Sequence, residues 1–355
     1  MKLHAVTMIR DEADVIEAFV RHTLCYVDEL HVVLHQSLDS TETILDALKQ
    51  EGLNVRVRTS SESTFRQGAT LTTLARQALH AGADFVFVID ADEFLRVPSR
   101  QALEHVLSSL PEGATGGIPW QIYVPLPSDN SEDPNILTRV THRPSQESKP
   151  LGKLILGRDF LHDESLFLLE GAHWVYQRYG EEYVPKPIQV FADLRLAHFP
   201  VRSAGQAVSK LLQRRWQRRI AWVDEPITKL VASGWRSTFD RMTEMVLARG
   251  TLTRDELFWF AFAYNDDYRP DEAPLCSAYE HLLVRDPCAN PAGEVRYAAK
   301  QSAPFLALYR WIDSLVAEGR GHLQAPDGSA TAMQLKVDIT HVPSFQTKFS
   351  SYKKP

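Results

Sequence analysis

The chain has 355 residues, 44% of them hydrophobic, and a formal net charge of −6, so it can bury a large core in one domain or two. This acidic balance gives no reason to expect a nucleic-acid partner. The three cysteines lack metal-ligand spacing, which favours a reduced, cytoplasmic protein. The charged run Arg10-Asp11-Glu12 leaves no room for a secretory signal, and no later segment reaches about 18 uninterrupted apolar residues.

Residues 1–90 alternate between predicted strands and helices. Strands are predicted at residues 2–9, 29–35, 53–59 and 85–89, and helices from residue 15, at 43–50 and at 70–80. This order predicts right-handed βαβ units, and hence an α/β fold with a mostly parallel, Rossmann-like sheet flanked by helices. Asp11 and Asp14 either cap the first helix or bind a ligand. The chain lacks the Gly-rich sequences of dinucleotide-binding and P-loop proteins, which disfavours both chemistries.

The middle of the chain predicts further strands and one long loop. A helix is predicted at 99–110 and strands at 117–124, 153–157, 165–169 and 187–199. The Pro-, Ser- and Asp-rich segment 125–150 predicts a surface loop of the kind that forms lids or binding elements. Ser203 and Gln206 have the spacing of a capping box at the start of a helix that reaches about residue 222.

The pattern becomes mainly helical after residue 224. Helices are predicted at 239–248, 254–263, 274–284 and 297–318, followed by an alternating edge strand from residue 334. We therefore predict a boundary between a first domain at 1–223 and a mainly helical region at 224–355.

Three carboxylates follow the fourth predicted strand. Asp90, Asp92 and Glu93 come directly after the apolar run 85–89, whose β-branched and aromatic residues indicate a fully buried strand. In open α/β sheets, ligands bind outside the carboxyl ends of the strands. Carboxylate oxygens there suit a divalent cation and a phosphorylated ligand. The sequence thus predicts a catalytic site at this turn.

Five segments in chain order resemble the motifs of GT-A-fold glycosyltransferases, particularly the family 2-like bacterial group. The segments are residues 8–17 (MIRDEADVIE), 37–41 (SLDST), 75–77 (ARQ), 89–94 (IDADEF) and 197–203 (AHFPVRS). The fourth closely matches the D-x-D-E-F form of the group. The chain departs from the group's pattern at Asp11, at His35-Gln36 and at Gln77. The resemblance ends near residue 210 and does not reach the C-terminal region.

The resemblance implies a metal-dependent site for a nucleotide sugar, with UDP as the expected nucleotide. Mn²⁺ or Mg²⁺ would stabilise the leaving diphosphate. Asp92 is the expected first metal ligand, Asp90 contacts the ribose or the metal, and His198 completes the coordination. The alternative for His198 is a structural hydrogen bond at the end of a strand.

The resemblance also implies which residues bind the nucleotide. Asp39 would accept a hydrogen bond from the base, while Arg10 and Glu12 line the pocket. Arg76 would reach the base or the phosphates, and Lys210 is a candidate for the diphosphate. Asp39 has a second interpretation as a helix cap, and the two roles are compatible.

The group is generally inverting, which implies a general base that removes the proton of the acceptor hydroxyl. Glu170 is the expected base, because it follows an apolar strand where such enzymes place this residue. His173 is the second candidate, as a base or as a metal ligand. Asp163 and Glu164 complete the set.

The expected function is inverting glycosyl transfer from a nucleotide sugar to a glycan or a lipid-linked acceptor in surface polysaccharide synthesis, by family analogy. One alternative is a sugar nucleotidyltransferase, although Arg10-Asp11-Glu12 stands where those enzymes carry a Gly-rich loop. A non-catalytic scaffold that binds a nucleotide or glycan is the other.

A basic cluster follows the last motif. Residues 214–219 include four arginines, with Trp216 and Trp222 nearby. The cluster predicts either peripheral association with the inner face of an anionic membrane or a solvated helix face.

Overall fold

A computed structural model of the chain describes residues 1–62, 66–111, 113–147, 151–221, 236–264, 275–290 and 293–300. The side chains of residues 216–221 and 236–237 are not among those described. The Trp216 and Trp222 side chains, the predicted helix beyond residue 300 and the predicted strand from residue 334 therefore lie outside the described part of the chain.

Nine strands of the described chain form the main sheet. They are β1 (Leu3–Ile9), β2 (Glu29–His35), β3 (Val55–Ser60), β4 (Phe85–Val88), β5 (Glu93–Arg96), β6 (Gly116–Ile122), β8 (Gly152–Leu156), β12 (Gln189–Val190) and β13 (Arg195–His198). Their order is β3-β2-β1-β4-β8-β6-β13-β5, and β12 pairs with β6. β8 runs antiparallel to β4 and β6, and β5 runs antiparallel to β13, while the other pairs are parallel.

Helices cover both faces of this sheet, and two small sheets lie beside it. The helices are α1 (Ile16–Thr23), α2 (Thr41–Gln50), α3 (Gln67–His80), α4 (Arg100–Leu107), α5 (Ile136–Arg139), α6 (Asp159–His162), α7 (Ala204–Ala221), α8 (Arg236–Arg249) and α9 (Arg254–Phe262). The small sheets join β9 (Leu166–Leu168), β10 (Val175–Tyr179) and β11 (Glu182–Pro185), and β7 (His142–Pro144) with β14 (Leu283–Arg285). The predicted fold class, a mostly parallel sheet flanked by helices, is confirmed.

The apolar run of β4 is explained by its two buried faces. Phe85 and Phe87 pack into the core on the side of α1, α2 and α4, whereas Val86 and Val88 pack into the core on the side of α3. Successive side chains point to opposite faces of a strand, so a strand covered on both sides must be apolar throughout. The run therefore carries the chain through the centre of the sheet to Asp90.

A third core joins the last helices to the sheet. Phe239, Phe258 and Trp259 of α8 and α9 pack with residues of α7 and with Ile122 and Val124 at the end of β6. Residues on both sides of position 224 share this core. The predicted domain boundary itself lies among residues that the structure does not describe.

The predicted helix at 274–284 is wrong. Within residues 275–285 the chain forms two 3₁₀ turns, Cys276–Ala278 and Glu280–Leu282, and then β14. Ser145 N donates to Leu282 O at 2.8 Å, and β14 pairs with β7 in antiparallel register. Strand pairing with a distant segment therefore replaces the local helical pattern.

Part of the predicted surface loop is structured. The segment 125–150 contains α5 and β7, and Ile136, Leu137 and Val140 are fully buried. These apolar side chains belong to the same core as α1 and α4. The described part of this segment is thus packed against the domain, which argues against a freely moving lid.

The predicted capping box at α7 is half formed. Gln206 N donates to Ser203 Oγ at 3.2 Å, as predicted. The Gln206 side chain instead accepts from Arg202 N at 3.1 Å. This hydrogen bond to Arg202 N fixes the residue before the cap and so helps to position Arg202.

None of the helices in the described ranges has the length and apolar character needed to cross a membrane.

Candidate active site

The acidic turn between β4 and β5 is fixed by its own backbone and by β13. Asp90 N donates to Glu93 Oε2 at 2.8 Å, and Glu93 N donates to Asp90 O at 3.1 Å. Phe199 N, just after β13, donates to Asp92 O at 2.8 Å. These bonds hold the turn at the carboxyl end of β4 and bring His198 beside it.

Asp92 is buried among cationic and imidazole groups. Its carboxylate lies 3.3 Å from Lys210 Nζ, 3.5 Å from Arg202 Nη1 and 3.6 Å from His198 Nε2. Burial alone would raise the pKa of Asp92, but Lys210, His198 and Arg202 hold it well below its usual range. Asp92 is therefore ionised at neutral pH, as a metal ligand or a carboxylate paired with cations must be.

Arg202 connects this carboxylate to the loop after β1. Its guanidinium donates to both oxygens of Asp14 at 2.9 Å and to Glu12 at 2.5 Å. The side chain is fully buried, so the acidic partners compensate a charge that water cannot reach. Asp14 therefore does not cap α1, whose N-cap is Val15 without a side-chain hydrogen bond.

Asp90 has a different set of partners. Lys153 Nζ lies 2.6 Å from Asp90 Oδ2, and Gln67 Nε2 donates to Asp90 Oδ1 at 3.0 Å. Lys153 is fully buried, and burial would lower its pKa, but Asp90 and Glu93 raise it above the ordinary value. A charged, buried lysine thus pairs with Asp90.

A divalent ion fits the donor atoms at this turn. One atom each of Asp92, Glu93 and His198 lie within 4.8 Å of one another. Within the described residues, the buried Glu93 Oε1 and His198 Nδ1 have no hydrogen-bond partner. Carboxylate oxygens with one imidazole are donors that Mn²⁺ and Mg²⁺ accept. Burial raises the pKa of Glu93 well above its ordinary value, so Glu93 must lose a proton to bind an ion.

Glu170 lies at the N-terminus of α3. Its carboxylate accepts from Gln67 N at 3.1 Å and from Gly68 N at 3.3 Å. Gln67 also accepts from Gly171 N at 3.1 Å, so the same glutamine touches Asp90 and the loop of Glu170. The structure therefore brings the expected base to the acidic turn and gives it a second role as a helix cap.

Trp120 packs against both His173 and His198. The Trp120 ring centroid is 4.8 Å from that of His173 and 4.3 Å from that of His198. His173 Nδ1 is 2.9 Å from Gly152 O, and burial, assisted by the Lys153 charge, lowers the pKa of His173 to about 4. His173 is therefore neutral at pH 7 and donates through Nδ1, leaving Nε2 as an acceptor.

The loops after β1 and β2 contain the predicted nucleotide residues. Asp39 accepts from Ala13 N at 3.0 Å and from Thr41 N at 2.9 Å, so it holds both loops together at the start of α2. Arg10 Nε lies 3.8 Å from Asp11 Oδ2. Asp11 has a φ of 54°, a left-handed conformation that Asp and Asn adopt more readily than most residues. This explains why Asp can stand where the resembling group has Asn.

Arg76 is bound to main-chain carbonyls. Its guanidinium donates to Phe160 O, Asp163 O and Leu166 O at 3.4, 3.1 and 2.7 Å. Gln67, at the start of α3, contacts Asp90. Arg76 lies nine residues further along the same helix, a length of about 14 Å. The observed role of Arg76 is thus to join α3 to α6 and β9, and its predicted contact with the nucleotide stays a prediction.

Sequence reasoning missed Lys153 and the contacts of Gln67. Lys153 is a lone cation in an otherwise apolar strand, which is an available signal for a buried ion pair. Gln67 carries no such signal, because its role depends on the approach of residues 168–171. Glu93, Arg202 and Asp14 were visible in the motifs, but their mutual contacts were not.

Comparisons with known proteins show likeness in fold. No protein-family model and no curated protein matches the chain. A similar solved structure is the mannosyltransferase PcManGT from Pyrobaculum calidifontis in complex with GDP-Man and Mn²⁺, with 15% identity, a TM-score of 0.36 and coverage of 71% of this chain and 76% of that one.

Two further structures are also similar. TarS 1–349 from S. aureus has 15% identity and a TM-score of 0.35, with 62% of this chain and 66% of that chain covered. A Bacillus anthracis protein described as a glucose-1-phosphate thymidylyltransferase, in complex with a sucrose, has 10% identity and a TM-score of 0.29, with 46% and 74% covered. The chain thus spans just under two thirds of TarS 1–349, and these likenesses concern the fold alone.

Proposed function

We propose that the protein is a metal-dependent, inverting glycosyltransferase of the GT-A kind. It transfers a sugar from a nucleotide donor, UDP-linked, to a glycan or lipid-linked acceptor in surface polysaccharide synthesis. One observation carries the proposal: Asp90 and Asp92 follow the central buried strand, and Asp92 lies beside His198, Arg202 and Lys210.

The cations around Asp92 suit a diphosphate. Arg202 is fully buried among carboxylates, whereas 29% of the Lys210 side chain is exposed, so Lys210 is the cation that a phosphate group could contact. A divalent ion held by Asp92 and His198, with Asp90 or Glu93, would stabilise the negative charge of the leaving diphosphate. A basic side chain would then position the donor and neutralise the part of the diphosphate charge that the ion does not compensate.

The acceptor side of the site lies toward Glu170 and His173. We propose Glu170 as the base that takes the proton of the acceptor hydroxyl, because Gln67 connects its loop to Asp90. His173 is the second candidate, since its neutral ring retains an acceptor nitrogen. Nucleotide contacts of Arg10, Glu12, Asp39 and Arg76 complete the proposal.

The cellular setting is part of the same proposal. A lipid-linked acceptor would place the protein in the cytoplasm at the inner face of a membrane, with residues 1–223 as the catalytic domain and 224–355 contributing to acceptor binding or oligomerisation. Sedimentation with anionic liposomes at low salt tests this setting, and failure to sediment would contradict it.

The first experiment measures the melting temperature with nucleoside diphosphates and sugar nucleotides, with and without Mn²⁺. A ligand that binds only the folded state must raise the melting temperature. We expect a Mn²⁺-dependent rise with uridine nucleotides that is lost in Asp92→Asn. Asp46→Asn, which changes an exposed carboxylate on α2, is the matched control and should respond like the parent protein.

The reaction products separate the alternatives. A glycosyltransferase releases the nucleoside diphosphate from the sugar nucleotide, and this release should be lost in Asp92→Asn. A nucleotidyltransferase would instead release pyrophosphate from a nucleoside triphosphate and a sugar phosphate. Binding without either release would indicate the scaffold, and no binding of any nucleotide would overturn the proposed donor site.

A further inference from the structure

A second cluster of potential ligands lies at the other end of the sheet. His4 is near the start of β1, while Glu29 and His31 are at the start of β2. The parallel register places His4 opposite Glu29 and Val6 opposite His31. The acidic turn follows the carboxyl end of β4, which runs parallel to β1. The cluster and the turn are therefore separated by the length of the strands.

Three donor atoms converge in this cluster. His4 Nδ1 is 3.1 Å from His31 Nε2, and Glu29 Oε1 is 3.5 Å from the same nitrogen. All three atoms lie within 4.8 Å of one another, and the three residues are between 1% and 7% exposed. Two nitrogens bound to a tetrahedral zinc ion at about 2.05 Å would be about 3.3 Å apart. The observed spacing agrees with shared coordination.

Hydrogen bonding explains only part of this arrangement. The Nε2 atom of His31 faces both His4 Nδ1 and Glu29 Oε1. A neutral ring nitrogen of His31 can donate one proton, to His4 or to Glu29, or accept one. It cannot satisfy both neighbours, whereas a cation between the three atoms would accept a lone pair from each.

The charges around the cluster are compatible with a bound cation. Arg56 of β3 contacts Glu29, but its side chain is 66% exposed and can turn toward solvent. Asp28 and Glu29 contribute negative charge near His4, against Lys2 and Arg56. The carboxylate of Glu29 can therefore bind a metal ion if its ion pair with Arg56 breaks, and a partly exposed pair of this kind contributes little to stability.

We propose that His4, Glu29 and His31 form a second metal site, for a divalent transition ion of the zinc class. A set of two imidazoles and one carboxylate favours zinc over magnesium. In a tetrahedral site these three ligands leave the fourth position for water. Because the ligands come from neighbouring strands, the bound ion would join β1 to β2. The site is independent of the proposed transfer reaction.

The test uses the full chain, freed of metal with a chelator and titrated with Co²⁺, whose visible absorption is strong in tetrahedral sites. We expect one equivalent of tetrahedral Co²⁺ in the parent protein and in Asp92→Asn, and its displacement by Zn²⁺. His31→Asn should lose this absorption. Zn²⁺ should raise the melting temperature of Asp92→Asn but not that of the double variant Asp92→Asn/His31→Asn, in which neither site is intact.

Glu29→Gln keeps the shape of the ligand and provides a second variant if His31→Asn does not fold. We expect it to bind Co²⁺ at least about tenfold more weakly, since even indirect partners of a metal contribute that much. Absorption that persists unchanged in both folded variants, or that disappears in Asp92→Asn, would overturn the proposal. Absence of tetrahedral absorption in the parent protein would overturn it as well.

Discussion

Lys153 joins the acidic turn to the loop that carries Glu170. Its ammonium lies 2.6 Å from Asp90 Oδ2 and donates to Gly171 O at 2.8 Å, and the side chain is fully buried. A single cation inside the sheet therefore fixes the relative positions of a proposed metal-binding or ribose-binding residue and the proposed base.

Lys153→Met should destabilise the fold by about 3 kcal/mol, because it leaves Asp90 without its buried partner. Urea unfolding measures the free energy of unfolding. Lys49→Met, at an exposed lysine that pairs with Asp46, is the control and should change it by less than about 0.5 kcal/mol.

Adding Asp90→Asn to Lys153→Met should restore part of the lost stability, since the unpaired charge is then removed. Equal effects of Lys153→Met and Lys49→Met would show that the buried ion pair does not contribute as argued.

Glu170→Gln tests the proposed base. The amide oxygen can still accept from one of the two N–H groups of Gln67 and Gly68, while the other loses its partner, so we expect a loss of stability of about 1 kcal/mol. If Glu170 takes the acceptor proton, kcat should fall by about 10²–10⁴-fold while the donor still raises the melting temperature.

His173→Asn is the companion variant, because its amide can donate to Gly152 O in place of the ring. We expect it to retain most of the activity. Retained activity in Glu170→Gln together with its loss in His173→Asn would reverse the two assignments.

Gly68→Ala should destabilise the protein, although the same change usually stabilises a helix. A Cβ atom at Gly68 would lie 2.5 Å from Leu168 O and 2.8 Å from Leu169 C, both main-chain atoms. The segment before Glu170 would have to move, and we expect a loss of about 2 kcal/mol by urea unfolding.

Ala69→Ser is the matched control, because Ala69 is the exposed neighbour on the same helical turn. It should be nearly neutral. A stabilising Gly68→Ala would mean that the segment at 168–169 yields without cost.

His22 should make stability fall in mild acid. Its Nε2 is 2.9 Å from Leu95 O, and burial lowers the pKa of His22 from 6.5 to about 4. Between these values the unfolded chain binds a proton that the folded protein excludes, so stability is lost as the pH falls. The contribution between pH 7 and pH 5 is about 2 kcal/mol.

His22→Gln should reduce this loss by that amount, measured as the free energy of unfolding by urea at the two pH values. The comparison cancels the other buried histidines, which titrate in both proteins. An unchanged pH dependence in His22→Gln would exclude His22 as its source.

The sequence predicted the first half of the sheet well. β2 has the predicted bounds, and β1, β3, β4 and α3 differ from their predicted bounds only by a few terminal residues. Hydrophobic periodicity dominates in these segments. β5 was missed, since Glu93 was assigned to the acidic turn rather than to a strand. Its pairing with β13 depends on residues about 100 positions away, which no local pattern records.

The sequence motifs indicated the main residues of the candidate site but not the contacts between them. The D-x-D turn indicated Asp90 and Asp92, and the later motif indicated His198. The partners of these residues depend on tertiary packing: Lys153 reaches Asp90 from an antiparallel strand, and Gln67 reaches it from the start of α3.

Arg202 gives the site an order of assembly. The residues it pairs with, Asp14, Glu12 and Asp92, are all made before it, and Lys210 follows. A chain emerging from the ribosome can therefore pair β1, β2, β3 and β4 before Arg202 and Lys210 have been made. The carboxylates of Glu12, Asp14 and Asp92 cannot form these pairs until residues 202 and 210 have left the ribosome, so this part of the domain is completed late in synthesis.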